Sequence, residues 1–78
     1  MKVLSKFSAE LYHARYEKGY TQREVAEAVS ISVRWYQRVE KGERLPSSLV
    51  MMRLIIFLNL DIKKLEEEVG IIVPISRN

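Results

Sequence analysis

The chain has 78 residues, 47% of them hydrophobic, with a net charge of +3 and a pI near 9.4. That length supports one domain with a single modest core, and the lack of any apolar run of ~20 residues excludes a membrane-spanning helix. Cysteine is absent, which excludes a disulfide framework and a thiolate metal site; no secretory signal is read, so stability must come from packing, helix caps and oligomerisation.

A first helix is expected from Ser5 or Ser8 to Lys18, stopped by Gly19. Leu4, Phe7, Leu11 and Ala14 repeat at helical spacing as its core face. Tyr12, Tyr16 and Tyr20 follow as a second stripe, read as half-buried packing residues with their hydroxyls at the rim. His13 is the only histidine; with no second metal ligand near it in sequence, it reads as a surface or rim residue.

The segment Thr21 to Gly42, TQREVAEAVSISVRWYQRVEKG, reads as two short helices joined by a tight turn. Thr21 and Glu24 are spaced for a reciprocal capping box, in which each side chain takes the other residue's backbone N–H. Val25, Ala26 and Val29 then repeat at helical spacing. Ser32 is a second N-cap, so Ser30 and Ile31 are left to form a sharp turn. In the helix that follows, Val33 to Lys41, each residue stands about 100° further round the axis than the last. Arg34, Arg38 and Lys41 fall on one line with Gln37 beside them, while Tyr36 and Val39 fall opposite and Val33 at the border. A row of cations repels itself slightly and suits an anion lying opposite, such as a DNA major groove. Glu40 turns toward the buried side and needs a cation there; Arg15 is the candidate, because a planar guanidinium grips a carboxylate bidentately.

Glu43 to Ser47 is a loop, with Pro46 biasing the chain away from helix before Ser47 or Ser48 caps the next one. Leu49 to Leu58 carries a single charge, Arg53, and is apolar on nearly every side, although a helix on the surface of so small a bundle should be amphipathic. At ten residues it is too short to cross a bilayer. Asp61 reads as the N-cap of a last helix, Ile62 to Val69, with Leu65 inward and Gly70 as its stop. Glu66, Glu67 and Glu68 give this end the opposite charge and point it away from phosphate. The apolar tail Ile71-Ile72-Val73-Pro74-Ile75 is expected either to cover the apolar helix of its own chain or, the favoured reading, to take part in a dimer; Ser76 to Asn78 look free.

Arg15, EKGYTQREVAEAVSIS, Val39-Glu40-Lys41-Gly42, Pro46-Ser47 and the later LNLDIKKL together resemble the Cro and phage-repressor type of helix-turn-helix domain, also called the xenobiotic-response-element family, from about Phe7 to Leu65. The resemblance implies an all-α, lambda-repressor-like bundle of about five helices in which the third reads DNA, and it independently suggests the Arg15 to Glu40 pair. It places Met51, Leu54, Ile55 and Leu58 inside, leaving Val50, Met52, Ile56 and Phe57 outward or sideways. The chain departs from the family at Ser30, where Gly is usual and Ser must carry modest strain. It departs again at Trp35, where a small polar residue is usual; the indole could touch a thymine methyl, rest on the sugar-phosphate backbone or pack against its own protein.

The expected organisation is therefore a helix-turn-helix domain over residues 1–70 and a tail over 71–78. The expected function is a sequence-specific transcriptional regulator, a repressor binding double-stranded DNA at an inverted repeat as a homodimer, cytoplasmic, associated with DNA and encoded by a bacterium or a phage. Val33, Arg34, Gln37 and Arg38 are the candidate base-contacting residues. Gln22, Arg23, Lys41 and Arg44 are the candidate phosphate contacts. Val50, Met52, Ile56, Phe57 and Ile72 are the candidate dimer or partner surface, since burying each large apolar side chain is worth roughly 1.5–3 kcal/mol. The alternatives are an antitoxin that autoregulates its operon and holds a toxin on the apolar helix or tail, and an interaction adaptor that has kept the fold; the basic face argues against the adaptor. No cofactor, metal or catalytic residue is expected, because there is no metal-ligand cluster, no Gly-rich phosphate loop and no Ser, His and acid constellation.

Overall fold

A computed structural model describes residues 5–61 and 63, and within them four helices: α1 (Ser5–Lys18), α2 (Gln22–Ala28), α3 (Val33–Glu40) and α4 (Ser48–Leu58). About five helices were expected. Of the expected last helix, Ile62 to Val69, only Lys63 is described, its N–H donating to Asp61 Oδ1 at 3.0 Å as a cap at Asp61 requires; the rest of it with Leu65, the tail with Ile72, and Leu4 lie outside the described residues.

Three of the four starts use one device. Thr21 Oγ1 accepts from Glu24 N at 3.0 Å while Glu24 Oε1 accepts from Thr21 N at 2.8 Å, closing the capping box at α2. Ser32 accepts from Trp35 N at the start of α3, and Ser47 from Val50 N at the start of α4. These hydroxyls satisfy amides that have no partner within the helix.

All four helices also stop in the same way, each with a residue of positive φ just past its end: Gly19, Ser30, Gly42 and Asn59. The next N–H in each case bonds back five residues, from Tyr20 to Arg15 O, Ile31 to Ala26 O, Glu43 to Arg38 O and Leu60 to Ile55 O. This is the left-handed stop that absorbs the last free carbonyls of a helix. Gly adopts it without a Cβ clash and Asn tolerates it; Ser30, at φ 62°, carries the strain its identity implied.

α1 packs on α3 and α4, and α2 packs on α3. The core is built from Phe7 and Leu11 of α1, Val25, Ala26 and Val29 at α2, Tyr36 and Val39 of α3, and Val50, Leu54, Leu58 and Leu60 at α4. No described helix is long and apolar enough to cross a membrane.

Three expectations change. Val50 is in the core rather than outward, because it stands one and two turns before Leu54 and Leu58 on the line that faces α1. Phe57 is half-buried, its ring stacked on Tyr20 with centroids 5.0 Å apart. Tyr12 and Tyr16, expected half-buried, are 45% and 70% exposed and stack on one another at 6.0 Å. Only Tyr20 of that stripe turns inward, because the positive φ of Gly19 ends the helix before it and swings it back toward α4. His13 is exposed.

Candidate nucleic-acid interface

α3 divides lengthwise. Tyr36 and Val39 are fully buried, Val33 and Trp35 are partly buried against the core, and Arg34, Gln37 and Lys41 are exposed with Arg38 half-exposed beside them. Trp35 thus packs in part against its own core, one of the three places open to it. Its backbone N–H is held by the Ser32 hydroxyl that caps α3. Arg34, Arg38, Lys41 and Arg44 are engaged with no carboxylate among the described residues, which leaves their positive charge for an external anion.

The orientation of α3 is set by Glu40, whose side chain is only 7% exposed. Arg15 Nε donates to its Oε2 at 2.7 Å and Arg15 Nη2 to its Oε1 at 3.1 Å. Tyr36 Oη donates to Oε2 at 2.7 Å and Gln22 Nε2 to Oε1 at 2.8 Å. One carboxylate thus ties α3 to α1 and α2. Burial pushes the Glu40 carboxyl up, but the donors from Arg15, Tyr36 and Gln22 outweigh it and hold the group below the usual carboxylate range. Burial, with the Glu40 carboxylate beside it, pushes the Tyr36 hydroxyl well up, so it remains a donor. Arg15 gains a further anchor, Nη1 donating to Tyr20 O at 2.9 Å, and lies with its guanidinium carbon 5.6 Å from the Tyr12 ring centroid.

Gln22 is placed differently from a bare phosphate contact. Its Nε2 is given to Glu40 and its Oε1 accepts from Gln37 Nε2 at 3.1 Å, so the side chain bridges the buried hub and the exposed face of α3 and keeps one N–H to spare. Arg23 and Arg44 are exposed. Sequence reasoning also missed Arg53, the one charge of α4, whose Nη1 donates to Val29 O at 3.3 Å and so ties α4 to the end of α2. Its isolation in an apolar helix was the available signal. Of the proposed partner surface, Met52 and Ile56 are exposed and lie on one side of α4 with exposed Leu49. Among the described residues no three His, Asp or Glu side chains converge as a metal ion would require.

The helix-turn-helix family model matches residues 11–71 of the chain. Over 40 residues, 51% of its length, the chain is 45% identical to the uncharacterized HTH-type transcriptional regulator YqaF of Bacillus subtilis (strain 168), a match that spans about half of that protein, 53%. Among solved structures it superposes on the clp gene regulator ClgR from Corynebacterium glutamicum with a TM-score of 0.71 and 30% identity, over 83% of this chain and 70% of that one. On the restriction-modification controller protein C.AhdI from Aeromonas hydrophila the TM-score is 0.67 and the identity 27%, over 77% of this chain and 91% of that one.

Proposed function

The chain belongs to the helix-turn-helix family of the Cro and phage-repressor type, and from that premise we propose that it is a sequence-selective DNA-binding transcriptional regulator. The observation that carries the reading is the divided α3, with Arg34, Gln37, Arg38 and Lys41 outward and uncommitted to acids while Tyr36, Val39 and Glu40 lock the opposite side into the bundle. A helix held this firmly and basic on its free side fits the major groove, where Arg34 and Arg38 would donate to guanine O6 and N7, Gln37 would pair with an adjacent base, and the edge of Val33 would meet a thymine methyl. Arg23, Lys41, Arg44 and the spare N–H of Gln22 would hold phosphates on either side and set the register.

The finer reading is a repressor acting as a homodimer on an inverted repeat. The exposed apolar stripe of Leu49, Met52 and Ile56 supports a protein contact, and a twofold dimer would set two α3 helices about one DNA turn apart, near ~34–36 Å. Selection of bound sites from a random duplex library tests both levels, with the winner's salt dependence compared with that of non-specific DNA. A palindromic winner is expected. Equal affinity for all duplexes would remove sequence selectivity, and a winner without twofold symmetry would remove the symmetric dimer.

A further inference from the structure

We propose that the direction of a hydrogen-bond relay from Glu40 through Gln22 fixes which atom Gln37 shows to DNA, and so makes Gln37 a reader of bases that present an amino group. The inference rests on the DNA-binding reading above and assigns one of its specificity residues. The relay has two links, Gln22 Nε2 to Glu40 Oε1 at 2.8 Å and Gln37 Nε2 to Gln22 Oε1 at 3.1 Å.

Its polarity follows from chemistry. An ionised carboxylate only accepts, and Glu40 is held in that form by Arg15 and Tyr36. Gln22 must therefore turn its NH2 inward to Glu40, which turns its carbonyl oxygen toward Gln37. Gln37 must then give its own NH2 to that oxygen, and its Oε1 is the atom left without a partner. An amide free in solution shows either end to a ligand with little preference. Here the choice is made by a buried ion pair two side chains away.

An unpartnered carbonyl oxygen on the exposed face of α3 accepts from exocyclic amino groups, which in the major groove means adenine N6 or cytosine N4. Adenine is the better match, because the second N–H of Gln37 is available to its N7. Guanine O6 and thymine O4 are acceptors and would face Oε1 unfavourably. Those bases could take only the spare N–H of Gln37; offering them its whole NH2 would require a flip that sets its carbonyl against that of Gln22. The relay thus acts by exclusion as well as attraction. It also gives Arg34 and Gln37 opposite tasks on one face, a donor for guanine beside an acceptor for adenine.

The test uses the full chain and a randomised duplex library. The base pair read by Gln37 is identified as the one whose preference Gln37→Ala abolishes. There the parent should prefer adenine, then cytosine, over guanine and thymine by about tenfold. Gln22→Ala and Gln22→Met, each checked for a folded melting transition, should lower that preference at least threefold more than they lower the preference at the pair read by Arg34. A parent preference for guanine or thymine, an undiminished preference in both Gln22 variants, or no position that answers to Gln37→Ala would each overturn the assignment. In the free protein the Gln37 side-chain amide protons should exchange with water more slowly in the parent than in Gln22→Met; equal exchange would overturn the relay with no reference to DNA. If the relay passes that measurement but the parent selects no sequence, the DNA-binding reading fails and takes with it the use of the relay.

Discussion

Glu40 does more than any other single residue to join sequence to function, because the carboxylate that orients α3 also contacts three helices. Removing it strands Arg15, whose side chain is 15% exposed, and breaking a buried pair by deleting one partner typically costs roughly 3–5 kcal/mol. Thermal melting of Glu40→Ala should show a loss near the lower end of that range, since the pair is not wholly dry; an unchanged melting temperature would contradict the hub. The pH dependence has a definite sign. Folded Glu40 titrates below its ordinary value of 4.5, so between the two values the unfolded chain holds more protons, and the stabilisation is complete above that ordinary value and lost as pH falls through the folded one. The gap in melting temperature between the parent and Glu40→Gln should accordingly be largest at neutral pH and narrow on acidification.

The exposed cations separate at the same scale. Arg34 lies on the outward line of α3 and Arg44 in the loop beyond it, so Arg34→Ala should cost ~1–3 kcal/mol and relax preference at one base pair, while Arg44→Ala should weaken all sequences alike and reduce the salt slope by about one. Binding titrations on specific and random duplexes at several salt concentrations distinguish them. The Arg15 to Glu40 pair was legible because the helical wheel turned an acid inward and left it needing a cation. The bridging use of Gln22 was not, because a glutamine at the start of a helix serves a phosphate or a neighbour equally well, and the approach of α2 to α3 decides between them.

Among the helices, the stops carry a sharper lesson than the starts. Gly19 announced itself as a stop; Gly42 and Asn59 did the same work without being read as stops, and Ser30 did it under strain. A non-Gly residue in that region loses roughly 1–2 kcal/mol to the close approach of its Cβ and a carbonyl oxygen, partly offset in Gly by the greater freedom of the unfolded chain. Ser30→Gly should therefore raise stability by about 0.5–1 kcal/mol in a denaturant titration, with α2 and α3 unchanged by circular dichroism; a less stable variant would mean that the Ser30 side chain contributes something the backbone angle conceals. In α4, the apolar residues run so nearly all round the helix that periodicity gave little guidance to the inward side. The core line proved to be Val50, Leu54 and Leu58, and the free line Leu49, Met52 and Ile56.

For the molecule as a whole, that free line is the feature the folded chain leaves unanswered. Ile56 is 75% exposed and Met52 58%, and side chains of this size clustered on one face favour burial against a protein surface. If a second copy covers them, Met52→Lys combined with Ile56→Lys should sediment as a monomer, keep its melting transition and bind duplex DNA more weakly, since each subunit then grips only half a site. A double variant that sediments like the parent would move the interface elsewhere. Val50 and Phe57 are poor choices for such a test, because one is core and the other stacks on Tyr20.

The sequence by itself determined where α2 and α3 begin, where α1 and α3 stop, and which side of α3 is basic. Caps, stops and wheel positions act over four or five residues and are decided within one helix. Only the tertiary structure decided that Gln22 joins Glu40 to Gln37, that Arg53 reaches back to Val29, that Val50 enters the core and that Tyr12 and Tyr16 stay out of it. Each of these depends on the angle and depth at which one helix meets another. That geometry is set by the packing of the whole core at once, and no local pattern encodes it.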